Sequence, residues 1–68
     1  MKTATTRTTI TLIRTPAGFA ATERINDLGR AVYEVRNRDG RIVGTRRFAD
    51  DAIGYAQTLE NAARKDQQ

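Results

Sequence analysis

Apolar and polar positions alternate along Ala31-Val32-Tyr33-Glu34-Val35-Arg36, and again along Arg41-Ile42-Val43-Gly44-Thr45-Arg46-Arg47-Phe48, with Asp39-Gly40 between the two runs. Period-two runs on either side of an Asp-Gly pair predict a β-hairpin. With a loop of two or four residues, Ala31, Tyr33 and Val35 share one side with Ile42, Gly44 and Phe48. Val32, Glu34, Arg36 and Arg38 then share the other with Arg41, Val43, Thr45 and Arg47. A three-residue loop would slip the register by one and part Ile42 and Phe48 from Tyr33 and Val35, so the apolar pattern favours an even loop. One side of the hairpin is core and the other is basic.

Upstream, Thr8 to Thr15 is β-branched almost throughout, which disfavours a helix and predicts a strand with Ile10 and Leu12 facing the core. Thr15-Pro16-Ala17-Gly18 fits a type I turn, with Pro at the second position and Gly at the fourth. Phe19 to Ile25 alternates weakly and is read as a second strand, with Phe19, Ala21 and Ile25 on one side. A helix over Ala21 to Leu28 is the competitor, but it would be short and would leave Phe19 without a partner. Asn26-Asp27-Leu28-Gly29 supplies the next turn, Gly29 taking a positive φ.

After Phe48 the spacing changes. Ala52, Ile53, Ala56, Leu59 and Ala63 recur at three and four residues and predict a helix from Asp50 to Arg64. Asp50 or Asp51 would cap its start, and Arg64 and Lys65 suit its negative end. Gly54 costs roughly 1 kcal/mol against Ala inside a helix, so either the sheet approaches closely there or the helix is not optimised. The expected fold class is therefore α+β: a four-stranded antiparallel meander with one C-terminal helix on one face, β-β-β-β-α, forming a single domain over residues 1–68. Residues 1–4 and 66–68, with Lys65, are expected to be disordered. No internal repeat or linker is read in so short a chain.

Composition narrows the function. The chain has 68 residues, and a chain of this size buries only about 60% of its unfolded surface, so help from a partner or from a second copy as a homodimer fits its size. It contains no Cys and no His, which removes disulfides, thiolate and imidazole chemistry and most zinc sites. Ser is absent too, so an enzyme is not expected, and neither a catalytic residue nor a cofactor is assigned. Asp50-Asp51 could offer oxygen ligands to Mg²⁺, but the start of a helix explains the pair more simply, and no metal is assigned. No run approaches the ~18 apolar residues of a membrane span, and the start is not followed by a continuous apolar stretch, so a cytoplasmic protein without a secretory signal is expected.

Ten Arg and two Lys against eight acids give a net charge of +4, which favours polyanions or acidic protein surfaces as partners. The candidate site is the basic side of the sheet: Arg36, Arg38, Arg41 and Arg47 around the hairpin, Arg24 on the neighbouring strand, and Thr45 and Thr22 between them. A two-stranded ribbon fits the major groove of DNA, where Arg pairs bidentately with guanine. The plain alternative is a solvated face. Val32, Val43 and Ile13 fall on the same side, and apolar residues among charges favour a contact surface, of nucleic acid or of protein. Tyr33 and Phe48 have the parity of core residues and are assigned to packing.

Glu34-Val35-Arg36-Asn37, Gly40, Val43, Phe48 and the Ala-rich helix from Ala52 to Ala63 are the residues by which the segment 33–63 resembles the hairpin-helix half of AP2-type and integrase amino-terminal DNA-binding domains. The resemblance implies an Arg-bearing sheet that enters the major groove with a helix packed behind it. Only the hairpin arginines carry over as site residues. Two functions compete: a nucleic-acid-binding module, and a protein-binding inhibitor or adaptor of the kind encoded by phages and plasmids, for example an anti-CRISPR-like protein. In the second, the same arginines would meet an acidic partner.

Overall fold

The computed structural model describes residues 9–66 and shows an α+β fold. Four strands, β1 (Thr9–Arg14), β2 (Ala20–Ile25), β3 (Ala31–Arg36) and β4 (Ile42–Arg46), form one antiparallel sheet in the order β1-β2-β3-β4. The helix α1 (Ala49–Asp66) packs across one face and touches all four strands. The competing helix over Ala21 to Leu28 does not form. Lys65 and Asp66 continue α1, contrary to the expected disorder; the expectation for residues 1–4 and 67–68 lies outside the described residues. Asp50 and Asp51 sit inside the first turn and do not cap it, because the Ala52 N–H already bonds the Phe48 carbonyl at 3.1 Å. They favour the helix through charge at its positive end.

One turn design is used three times. Thr15, Asn26 and Asn37 each accept the N–H of the glycine three residues on, at 2.9, 3.0 and 2.9 Å, and donate their own N–H to Phe19, Arg30 and Arg41. Their side-chain oxygens reach the N–H groups of those same residues, each at 3.0 Å. Gly18, Gly29 and Gly40 supply φ values of 100°, 79° and 86°, the left-handed region that closes a three-residue loop. Thr9, Ala20, Ala31 and Ile42 open the four strands, so strand plus turn repeats every eleven residues. The absence of a repeat, expected from the sequence, is thereby corrected: the period shows in the turns, with Gly at 18, 29 and 40 and Asn, Gly and Arg shared between 26–30 and 37–41, while the strands between them differ in side chains.

The three-residue loop at 38–40 also overturns the even loop favoured by the apolar pattern. Arg36 pairs with Ile42, which turns Ile42 to the side opposite the helix. An extra residue, Val43, then restores the register, and Gly44 joins Val35 on the helix side. The first hairpin does the same at Leu12: Thr11 pairs with Thr22 and Ile13 with Ala21, so Leu12 and Ile13 both pack on the core. Ile13 is therefore a core residue and not part of the basic side.

The core is built of small residues. Ala21, Val35, Ala52 and Ala56 are fully buried, with Leu12, Ile13, Phe19, Tyr33, Ile53, Tyr55 and Leu59 packed around them. Alanines on both helix and sheet let the two layers approach closely. Three residues expected in the core lie outside it: Ile10 is 51% exposed, Ile42 43% and Phe48 64%. Ile42 is displaced by the loop register. Phe48 is displaced because β4 ends at Arg46 and the chain turns into α1 before its alternation can place it.

Candidate functional site

Among the described residues no helix covers the other side of the sheet, and strand pairing arranges its residues in three rows. Thr9, Arg24 and Val32 form one; Thr11, Thr22, Glu34 and Thr45 form the middle one; Arg14, Ala20, Arg36 and Ile42 form the third. The alternation of each strand, fixed by its turn, sends these side chains to this side while Ala21, Val35 and Gly44 face α1.

The centre of this basic side is a carboxylate. Glu34 is only 4% exposed, and Arg24 grips it as a fork, Nε donating to Oε1 at 3.3 Å and Nη2 to Oε2 at 2.9 Å. Arg36 approaches from the other flank, Nη2 to Oε1 at 3.4 Å, while its Nη1 donates to the Gly40 carbonyl at 2.9 Å. Beneath them, the Thr22 hydroxyl donates to the Glu34 main-chain oxygen at 3.3 Å. The Arg24 hydrogen bonds hold the Glu34 carboxyl below its ordinary range, against the opposing effect of burial, and the Arg36 charge adds to them. The same contact raises Arg24 above its ordinary value. Ala20 and Thr22 are buried on this side, where long arginine stems can shield flat sheet surface while their heads stay in water.

Of the six residues singled out from the sequence, Arg24, Arg36 and Thr45 lie together on this face. Arg47 follows the end of β4 and borders, with Val32, Thr45 and Phe48, a shallow hollow at its rim. Arg38 and Arg41 belong to the 38–40 loop region, at the other end of β4 from Arg47 and roughly 20 Å from it for six residues of extended chain. Arg38 crosses the first turn so closely that a Cβ on Gly18 would lie 2.5 Å from the Arg38 Cβ. With Arg64 and Glu60 it lines a cleft of about 640 Å³ between that turn and the end of α1. Glu60 is buried there, accepting the Ala17 N–H at 2.8 Å and an Arg64 N–H at 3.4 Å. The Ala17 N–H, helped by the Thr15 hydroxyl, holds its carboxyl below the ordinary range.

Three members of the face, Thr9, Thr11 and Arg14, were not singled out from the sequence. Arg14 pairs with Ala20 and stands in the third row, a position that follows once the Thr15–Phe19 turn is given a three-residue loop. Glu34 had been placed on this side but given no role. Arg46, by contrast, is drawn to the helix side, its guanidinium 4.0 Å above the centre of the Tyr55 ring. Among the described residues no helix is long and apolar enough to cross a membrane. Comparisons of the chain with protein-family models, with curated proteins and with solved structures find no match.

Proposed function

We propose that the chain is a non-enzymatic binding module that lays the open side of its sheet against double-stranded DNA, with Arg14, Arg24, Arg36 and Arg47 as cationic contacts and Thr9, Thr11 and Thr45 as hydroxyl donors. The observation that carries this reading is a sheet face, uncovered among the described residues, whose three rows hold arginine and threonine, with an exposed aromatic, Phe48, only at its rim. Single strands are gripped largely by stacking bases on aromatic rings, and A-form RNA closes its major groove to side chains. The major groove of B-DNA admits a β-ribbon and offers both phosphates and base edges to arginine. The resemblance of segment 33–63 to AP2-type and integrase amino-terminal domains points the same way, and the lack of His, Cys and Ser supports a binding role over a catalytic one.

A second reading rests on Val32, Ile42 and Val43, apolar residues on or beside the same face, of which Ile42 and Val43 are exposed. They suit an acidic protein partner, as in the inhibitor or adaptor class, as well as thymine methyl groups. Titration of a random 20-base-pair duplex, a single strand of equal length and an acidic protein, each from ~50 to ~200 mM salt, separates the two. About three neutralised phosphates give a slope of log affinity on log salt near −2.7 for the duplex. No duplex binding at ~50 mM salt would overturn the DNA reading in favour of the protein one.

A further inference from the structure

We infer that Glu34 sets the discrimination of the open face, fixing Arg24 as a reader of guanine edges and lowering the attraction of the face for DNA in general. This rests on the DNA reading above and deepens it. A guanidinium has five N–H donors on two usable edges. Glu34 takes the side edge of Arg24, through Nε and Nη2. The end edge, formed by Nη1 and the remaining Nη2 hydrogen, makes no hydrogen bond among the described residues, though the Asp27 charge also acts on Arg24, and paired end nitrogens match the O6 and N7 acceptors of guanine. A guanidinium held in one orientation loses less freedom on binding and tolerates less misalignment than a mobile one. Arg36 is held differently: both of its end nitrogens are engaged, by Glu34 and by the Gly40 carbonyl, so it suits phosphate contact and bracing.

The charge balance leads to the same assignment. Glu34 cancels one of the two guanidinium charges in the middle of the face, where nonspecific attraction to phosphates would otherwise be greatest. A buried carboxylate in a phosphate-binding surface lowers affinity for every sequence equally, and it is worth having only where orientation matters. Its fork on Arg24 supplies that orientation, and the Thr22 bond to the Glu34 backbone fixes the strand beneath it.

The test compares wild type, Glu34→Gln and Arg24→Lys on a duplex selected by wild type from a random pool and on the unselected pool. Thermal melts by circular dichroism establish how far each variant is folded. Glu34→Gln is expected to bind the random pool several-fold more tightly, with a salt slope steeper by about 0.9, and to lose about tenfold or more in its preference for the selected duplex. Arg24→Lys keeps the charge and loses the fork, so its affinity for the selected duplex is expected to fall about tenfold or more further than its affinity for the random pool. Should Glu34→Gln fail to fold, Arg24→Lys alone decides. If wild type selects no sequence, or if either folded variant keeps the full preference, the inference is overturned while the DNA reading stands. If wild type binds no duplex, both fall together.

Discussion

Replacing Gly44 with Ala tests how closely α1 lies on the sheet. A Cβ built on Gly44 overlaps Cε2 of the Tyr55 ring and comes within 3.1 and 3.2 Å of its Cζ and Cδ2, so the ring has to move. Forcing an extra methyl into a packed site costs about 1 to 3 kcal/mol. The displaced ring also gives up its stacking under Arg46, worth about 0.5 to 1 kcal/mol at an exposed site, and a long hydrogen bond to the Val43 carbonyl. Against this, Ala in a strand gains about 0.5 to 1 kcal/mol over Gly by restricting the unfolded chain. The net expectation is a loss of about 2 kcal/mol, within a span of about 0.5 to 3.5, a large share of what a domain of this size possesses. Urea denaturation followed by circular dichroism reads it directly, and a thermal midpoint should drop by ~4 to 8 °C per kcal/mol. The decisive measurement is the double-mutant cycle with Tyr55→Ala. Without the ring, Gly44→Ala should become neutral or stabilising. Equal cost with and without the ring would refute the close approach, as would a single variant more stable than wild type.

Phe48→Ala, at a residue 64% exposed, should change stability by about 1 kcal/mol or less, whereas Val35→Ala at the fully buried centre should cost about 2 to 3 kcal/mol in the same urea titration. Gly54→Ala should raise stability by about 1 kcal/mol, because nothing lies within 4 Å of the added methyl and Gly54 is exposed in the middle of α1; an unchanged or lowered urea midpoint would contradict this. Glu34 and Glu60 both have folded carboxyl groups held below their ordinary range, so their stabilisation is complete at neutral pH and is lost as pH falls through and below that range. Urea midpoints at pH 7 and pH 3 should differ more for wild type than for a folded Glu34→Gln or Glu60→Gln variant.

The fold class was legible because its main signals are local: β-branched runs, turn residues and a three-four spacing from Ala52 to Ala63. Register was less legible. At Asn37-Arg38-Asp39-Gly40, apolar parity and turn chemistry disagreed, and the Asn37 side chain with the positive φ of Gly40 prevailed over the burial of Ile42. Alternation cannot announce an extra residue, so Ile13 was assigned to the wrong side and Arg14 was left out of the face. Glycine showed the same limit. Of the two readings of Gly54, a close approach or a helix not optimised, open space around it leaves the second, while the close approach is at Gly44 under a tyrosine from the helix. Of the site, the arginines were visible as charge, but the Glu34 fork depends on a diagonal contact between neighbouring strands, which no spacing along the chain records.

The two extra residues, Leu12 and Val43, both fall on outer strands, while the inner pair β2–β3 runs without interruption. An outer strand ordinarily offers a row of unpaired N–H and C=O groups on which another chain can build. Here each such row is broken partway along, so an arriving strand can match the spacing on one side of the break but not on both. Irregular pairing of this kind makes the edges of a four-stranded sheet poor templates for strand-by-strand growth into fibrils. In a small protein with a thin alanine core, backbone irregularity at these two positions works against edge-to-edge pairing without calling on side chains of the arginine face.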